Sequence, residues 1–265
     1  MRFLILYSLV LMPASALAHE LWIEPIDYQI KEETKAQARL VNGEGFKGVE
    51  LAFFPNRIEE FNVYNGEEVI AVDTRLGNKP ALDAPSLPDG LNILVYQSKP
   101  SELTYKEPEK FERFLKHKDL GVTINDHLAR GLSADNITEV YTRFSKSLIA
   151  VGDGAGADRL IGLETELVAL TNPYDLVGPM QVQLFYQDSP RANEQIEVFE
   201  RAEDDSVTIS TLRTDADGIA TIPVKPNHEY MLDAVVLRIP TDEVAEEYSA
   251  MWETLWANLT FFVPE

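Results

Sequence analysis

The chain has 265 residues, 45% of them hydrophobic, and carries a net charge of −21. That apolar content is enough to build packed cores, which sets the chain apart from disordered ones. The negative charge repels nucleic acid and anionic lipid, and the absence of cysteine removes disulfides, catalytic thiols and thiolate metal sites together.

Residues 1–18 have the pattern of a cleavable secretory signal peptide. Arg2 supplies a positive start, residues 3–11 (FLILYSLVL) are apolar throughout, and Ala16-Leu17-Ala18 places small residues where signal peptidase needs them. The apolar run is shorter than the about 20 residues needed to span a bilayer, and no stop-transfer segment follows. The expectation is cleavage after Ala18, export to the periplasm, and a working chain that begins at His19 and is not membrane-embedded.

From Leu21 the pattern is one of short strands, at 36–41, 50–54, 61–64, 69–72 and 92–97. Asn42-Gly43, Pro55-Asn56, Asn65-Gly66, Gly77-Asn78 and Asp89-Gly90 separate them. Such spacing argues for an antiparallel, immunoglobulin-like sandwich. Asn65-Gly66 is the clearest hairpin turn, expected as type I′ with positive φ at both positions.

The middle of the chain changes character. Residues 108–118 (PEKFERFLKHK) open on proline and acids and close on bases, as a helix dipole favours. Phe111, Phe114 and Leu115 fall on one face of that helix. A second short helix is expected at 123–130, ending at Gly131, and a strand at 140–151. The glycine-rich stretch 152–157 then marks a domain boundary.

The last hundred residues return to strands, at 181–187, 196–200, 207–212, 219–224 and 229–237. The turn Thr214 to Gly218 lies between two of them, and Ala257, Leu259, Phe261 and Val263 alternate along a final strand. The fold class expected is mainly β: two antiparallel β-sandwich modules, 19–152 with a helical insertion at about 108–131, and 159–265.

Few residues carry chemistry. Once exposed by cleavage, His19 would offer an α-amine and an imidazole to one metal ion, and the amine's pKa of about 7.7–8.0 lets a divalent ion displace its proton near neutrality. Imidazole suits Cu, Ni, Zn and Co, and the adjacent Glu20 could complete or orient the site. The plain alternative is that His19 merely precedes the first strand. His228, at a strand entrance where sandwich loops gather, is the best second ligand. His117, among lysines at a helix end, and His127, beside Asp126, are expected at the surface.

Catalytic motifs are missing. There is no HExxH and no GxSxG; GxGxxA at 152–157 lacks the helix a dinucleotide site needs, and Asp215 and Asp217 lack the remaining ligands of a calcium loop. Trp252 and Trp256 are expected to close a core, the alternative being sugar stacking. An enzyme is not expected.

Several segments, in order along the chain, resemble one family. They are His19-Glu20-Leu21-Trp22-Ile23-Glu24-Pro25, Gly43-Glu44-Gly45-Phe46, Glu109-Lys110-Phe111-Glu112, Tyr141-Thr142-Arg143-Phe144-Ser145-Lys146, Thr214-Asp215-Ala216-Asp217-Gly218 and residues 252–261 (WETLWANLTF). The resemblance is to NikM-like exported proteins of unknown function, described by similarity as periplasmic components of ABC-type cobalt or nickel transport. It implies a transthyretin-like or carboxypeptidase-regulatory-like C-terminal sandwich and nickel or cobalt as the metal; from the residues themselves, an N-terminal His19 adds copper, and His19, Glu20 and His228 are the expected ligands of a divalent transition-metal ion. The resemblance also implies an ABC-type metal importer or another envelope protein as partner. Members of that family often carry a His-Met pair where this chain has Val236-Leu237, which would alter any site there. A non-catalytic structural or protein-interaction module and a carbohydrate-binding sandwich are the alternative readings.

Overall fold

The computed structural model describes residues 19–265; the expected signal peptide, residues 1–18, lies outside the described residues. The first half supplies β1 (Glu20–Pro25), β2 (Gln29–Ile30), β3 (Ala36–Glu44), β4 (Lys47–Leu51), β5 (Ile58–Asn65), β6 (Glu68–Ala71), β7 (Leu82–Ala84), β8 (Gly90–Ser98) and β9 (Ser101–Tyr105). Helices α1 (Pro108–His117) and α2 (Ile124–Ala129) follow, then the long β10 (Ile137–Val151). The second half supplies β11 (Thr165–Ala169), β12 (Met180–Tyr186), β13 (Ser189–Pro190), β14 (Gln195–Arg201), β15 (Val207–Arg213), β16 (Ile219–Ile222), β17 (His228–Arg238), helix α3 (Asp242–Tyr248) and β18 (Trp252–Val263). The chain is mainly β, as its sequence indicates.

Three layers organise these strands. A ten-stranded sheet runs β15-β14-β17-β18-β10-β8-β5-β6, with β2 and β9 also paired to β10. One four-stranded sheet (β1-β3-β4, with β7 on β3) and another (β11-β12-β13, with β16 on β12) complete the strand inventory. The ladders are antiparallel except for β10 with β18 and with β2, which run parallel.

The alternation along β10 shows why the large sheet lies in the middle. Phe144 and Leu148 enter a core with Leu167, Val182, Leu184 and Ala220 of the C-terminal sheet. Ile149 and Val151, of opposite parity, enter a second core with Leu21, Ala38 and Leu40 of the N-terminal sheet. A strand covered on both faces carries a near-continuous apolar run instead of clean alternation, as β8 and the end of β10 do. The large sheet takes strands from both sides of the glycine-rich stretch 152–157, so the expected boundary falls in the loop between β10 and β11 while the sheet continues across it.

The helical pair forms as the sequence indicates. Proline opens α1, Glu109 lies in its first turn, Lys116 and His117 lie in its last, and Phe111, Phe114 and Leu115 are buried. Thr123 caps α2 in a reciprocal capping box with Asp126. The pair closes a third core with Tyr105, Val235, Trp252 and Trp256, on the same face of the large sheet as β1. No helix among the described residues is long and apolar enough to cross a membrane.

Two turns differ from expectation. The β5–β6 hairpin turns at Gly66-Glu67, with Gly66 alone at positive φ (53°), so the type I′ turn expected at Asn65-Gly66 is not formed. Asn42-Gly43 is strand, and the turn comes at Gly45-Phe46, both left-handed. Gly43 instead allows close approach: a Cβ there would meet Lys47 O at 2.0 Å.

Candidate functional site

β1 is an edge strand, and its outer edge is satisfied by side chains. The carbonyls of His19, Leu21 and Ile23 point to one side, as alternate residues of a strand do. They accept hydrogen bonds from Arg143, from Ser145 Oγ (2.7 Å) and from Thr260 Oγ1 (2.7 Å) of the large sheet. Polar residues therefore stand in the middle of an otherwise apolar sheet because a bare strand edge lies above them.

These residues belong to a transverse polar row. Glu197 of β14 is the register partner of Asp233 of β17, Asp233 of Asn258 of β18, and Asn258 of Ser145 of β10. Register partners share a sheet face, with Cβ atoms about 5 Å apart. Glu197, Asp233, Asn258 and Ser145 are all buried.

Lys118, just after α1, reaches down to this row. Its Nζ donates to Glu20 Oε1 (2.9 Å), to Asp233 Oδ2 (2.8 Å) and to Glu197 Oε2, and lies 4.8 Å from the centre of the Trp256 ring. Its side chain is only 4% exposed. Burial opposes its charge, but the carboxylates of Asp233, Glu20 and Glu197 outweigh burial and hold its pKa above that of an ordinary lysine. Burial pushes the Asp233 carboxyl up to about 6 against the pull of Lys118, with Glu20 and Glu197 adding to the rise.

His117 joins from the solvent side, its Nε2 2.9 Å from Glu197 Oε1. That bond to Glu197 raises the imidazole's pKa against the opposing effect of burial. Burial would raise Glu197 too, but its bonds to His117 and Lys118 prevail and its pKa falls below the ordinary value.

Ligand oxygens of Glu20, Glu197 and Asp233 lie within 4.8 Å of one another. Above them opens a cavity of about 560 Å³, walled by the β3–β4 hairpin tip (Glu44, Gly45), by Phe199 and Ile209, and by the end of α1. Not every polar atom here is satisfied. Glu20 Oε2, Asp233 Oδ1 and both amide atoms of Asn258 are buried without a partner among the described residues.

A second buried lysine provides a contrast. On the other face of β10, Lys146 Nζ is 2.7 Å from Asp158 and 2.9 Å from Glu166. Glu166 also accepts from the backbone N–H groups of Ile161, Gly162 and Leu163, and Asp158 from that of Ala169. No atom of this cluster is left over. It fastens the loop after β10 and has nothing to offer a ligand.

Of the three ligands expected from the sequence, only Glu20 enters the carboxylate cluster, while His117, expected at the surface, borders it through Glu197. His19 precedes it and is held through its carbonyl by Arg143. His228 is not brought there: it starts β17, five residues from Asp233 and so roughly 16 Å away at the usual strand rise. Its Nδ1 bonds Pro226 O, and its Nε2 faces Glu200 at 3.9 Å.

His127, expected at the surface, is fully buried. Its Nδ1 accepts from Trp252 Nε1 (3.0 Å) and its Nε2 lies 2.8 Å from Ser133 O, which defines a neutral ring protonated on Nε2. Trp252 and Trp256 are 4% and 1% exposed, so neither offers a face to a sugar.

Sequence reading missed Lys118, Glu197, Asp233 and His117 as a group. The signal present was an acid inside an apolar strand, Asp233 within 229–237 (EYMLDAVVL). A buried acid needs a partner, and the strand alone does not say which.

A mainly β protein with a buried carboxylate cluster under a helical flap is the class that fold and site define. The chain belongs to the DUF4198 family, a domain of unknown function, whose profile matches residues 16–238. Among curated proteins nothing matches it. Solved structures similar to it include the D0-D1 domain of intimin, at 14% identity and a TM-score of 0.24, with 91% of this chain and 97% of that one covered. Another is a tetra-tandem repeat in the extending region of a large adhesion protein, at 11% identity and a TM-score of 0.21. There 92% of this chain is covered but only 49% of that one, so this chain spans about half its length.

Proposed function

We propose that this is an exported, non-catalytic protein of the cell envelope that holds a divalent transition-metal ion as cargo in the Glu20–Glu197–Asp233 cluster. The observation that carries the reading is the convergence of three carboxylates from three strands, with an imidazole beside them, of which Glu20 and Glu197 line an open cavity and Asp233 lies buried next to them. Oxygen donors with one imidazole suit nickel and cobalt better than a soft ion. The NikM-like resemblance supports the same two metals and an ABC-type importer, or another envelope protein, as partner. Export places the protein in the periplasm and begins the chain at His19, next to Glu20, where the new α-amine would add a nitrogen donor and make copper(II) a further candidate.

The second reading is a structural or protein-interaction module. Lys118 favours it, because its ammonium already bonds all three carboxylates.

Calorimetry of the chain starting at His19 separates the two. The metal reading predicts about one Ni2+ or Co2+ bound per chain, with binding lost in Glu20→Gln and Asp233→Asn and kept in His228→Ala. Absence of saturable binding, or binding indifferent to Glu20 and Asp233, supports the structural module instead.

A further inference from the structure

We propose that Lys118 is a tethered competitor: its ammonium occupies the carboxylate cluster in the metal-free protein, and an incoming divalent ion displaces it into the cavity above. The proposal rests on the metal reading of the cluster and adds its regulation.

The first observation is a mismatch in bonding capacity. An ammonium has three N–H donors, and Glu20, Glu197 and Asp233 use all three. Glu20 Oε2, Asp233 Oδ1 and the Asn258 amide, which lies beside Asp233 by register, are left buried and unpartnered. Leaving such groups unpaired is costly, and the lysine cannot relieve the cost because its donors are exhausted. A divalent ion in octahedral geometry accepts more oxygen ligands than an ammonium offers protons, so it can engage oxygens the lysine leaves idle. It also brings two charges where the lysine brings one.

The second observation is a way out. Lys118 lines the same cavity of about 560 Å³ as Glu20, His117 and Glu197. It sits at the C-cap of α1, so rotation of one flexible side chain lifts the ammonium from the cluster without unwinding the helix. The cavity wall carries Glu44 as an acid, and also Arg113, Lys116 and His117, so the displaced ammonium enters a mixed-charge space open to solvent. The fully bonded Lys146 cluster has no leftover oxygen and serves as the internal control.

Displacement has a measurable cost. A ligand that binds only the lysine-out state shows an affinity reduced by the fraction of molecules in that state. Replacing Lys118 by methionine, of similar length and without charge, removes the competitor.

The test is Ni2+ titration by calorimetry of the wild-type chain and of Lys118→Met, with circular dichroism to follow folding. The variant should bind Ni2+ roughly tenfold or more tightly, and Asp233→Asn placed on top of it should abolish the gain. Should Lys118→Met be unfolded alone, Ni2+ should fold it, and failure of Ni2+ to do so overturns the proposal. In the wild type, Ni2+ should also speed tryptic cleavage after Lys118, whose side chain is buried without metal. Equal or weaker Ni2+ binding by Lys118→Met overturns the competitor role while leaving the metal reading intact. No Ni2+ binding by either protein removes the metal reading and this proposal with it.

Discussion

Glu197 and Asp233 are register partners on neighbouring strands, and their carboxylates meet on one atom, Lys118 Nζ. Two acids side by side on a buried sheet face would repel each other, and the pairing stands because a helix end delivers a cation between them. In metal-free buffer, Lys118→Ala should therefore destabilise the fold by about 3–5 kcal/mol, the usual cost of stripping the partner from buried charge. Urea unfolding at neutral pH measures it, and a loss below about 1 kcal/mol would show that the carboxylates do not depend on Lys118.

A second buried acid gives a pH signature. Glu139 is fully buried, accepts a hydrogen bond from Tyr105, and is pushed up to about 7 by burial. Its folded pKa lies above its unfolded one, so the folded state holds the proton more tightly. The stability this contributes is complete below about pH 4.5 and is lost as pH rises through 7. Glu139→Gln keeps an acceptor for Tyr105 and avoids the charge. It should exceed the wild type in stability by up to about 3 kcal/mol at pH 8, and the gap should close toward pH 5. A gap independent of pH between 5 and 8 contradicts the assignment.

His127 tests the hidden polar link between the helical pair and β18. His127→Phe would fill the space but leave Trp252 Nε1 without its acceptor. The expected loss is about 1–3 kcal/mol in urea unfolding, with no effect on Ni2+ binding, since the ring does not touch the carboxylate cluster. A neutral outcome for stability would mean the buried indole finds another partner.

The β3–β4 hairpin that walls the cavity depends on Gly43. A methyl group there would meet Lys47 O at 2.0 Å and Gly48 Cα at 2.4 Å, both backbone atoms that cannot yield cheaply. Gly43→Ala should cost about 2–3 kcal/mol, and Gly45→Ala should also destabilise through its positive φ of 61° although its neighbours are distant. Thermal unfolding of both variants checks this, and Gly43→Ala at wild-type stability would contradict the close approach.

The β class, the helical insertion and most strand positions were legible because they rest on local pattern: turn residues, capping and amphipathic spacing. The candidate site was not. Lys118 lies 98 residues from Glu20, 79 from Glu197 and 115 from Asp233, and no periodicity reports which strands become neighbours across that distance. At the end of α1 a lysine looks like ordinary dipole compensation, and His127 beside Asp126 looks exposed until β18 is laid against it. Glu20 was within reach because it sits next to His19, but its partners were not. Three of the six segments whose pattern resembles a family do meet: Glu20, Ser145, Trp256 and Asn258 all lie around Lys118 or the polar row beneath it, whereas the turn Thr214 to Gly218 packs on β12.

Binding of a divalent cation among Glu20, Glu197 and Asp233 is the proposal on which the others depend. Crystals of the chain starting at His19, grown with Ni2+ and measured at the nickel absorption edge, locate the ion directly. One strong anomalous peak is expected within coordination distance of those three carboxylates, with Lys118 Nζ moved into the cavity. A peak only at His228 or on surface acids, or none with Lys118 still bonded to all three carboxylates, would contradict that proposal.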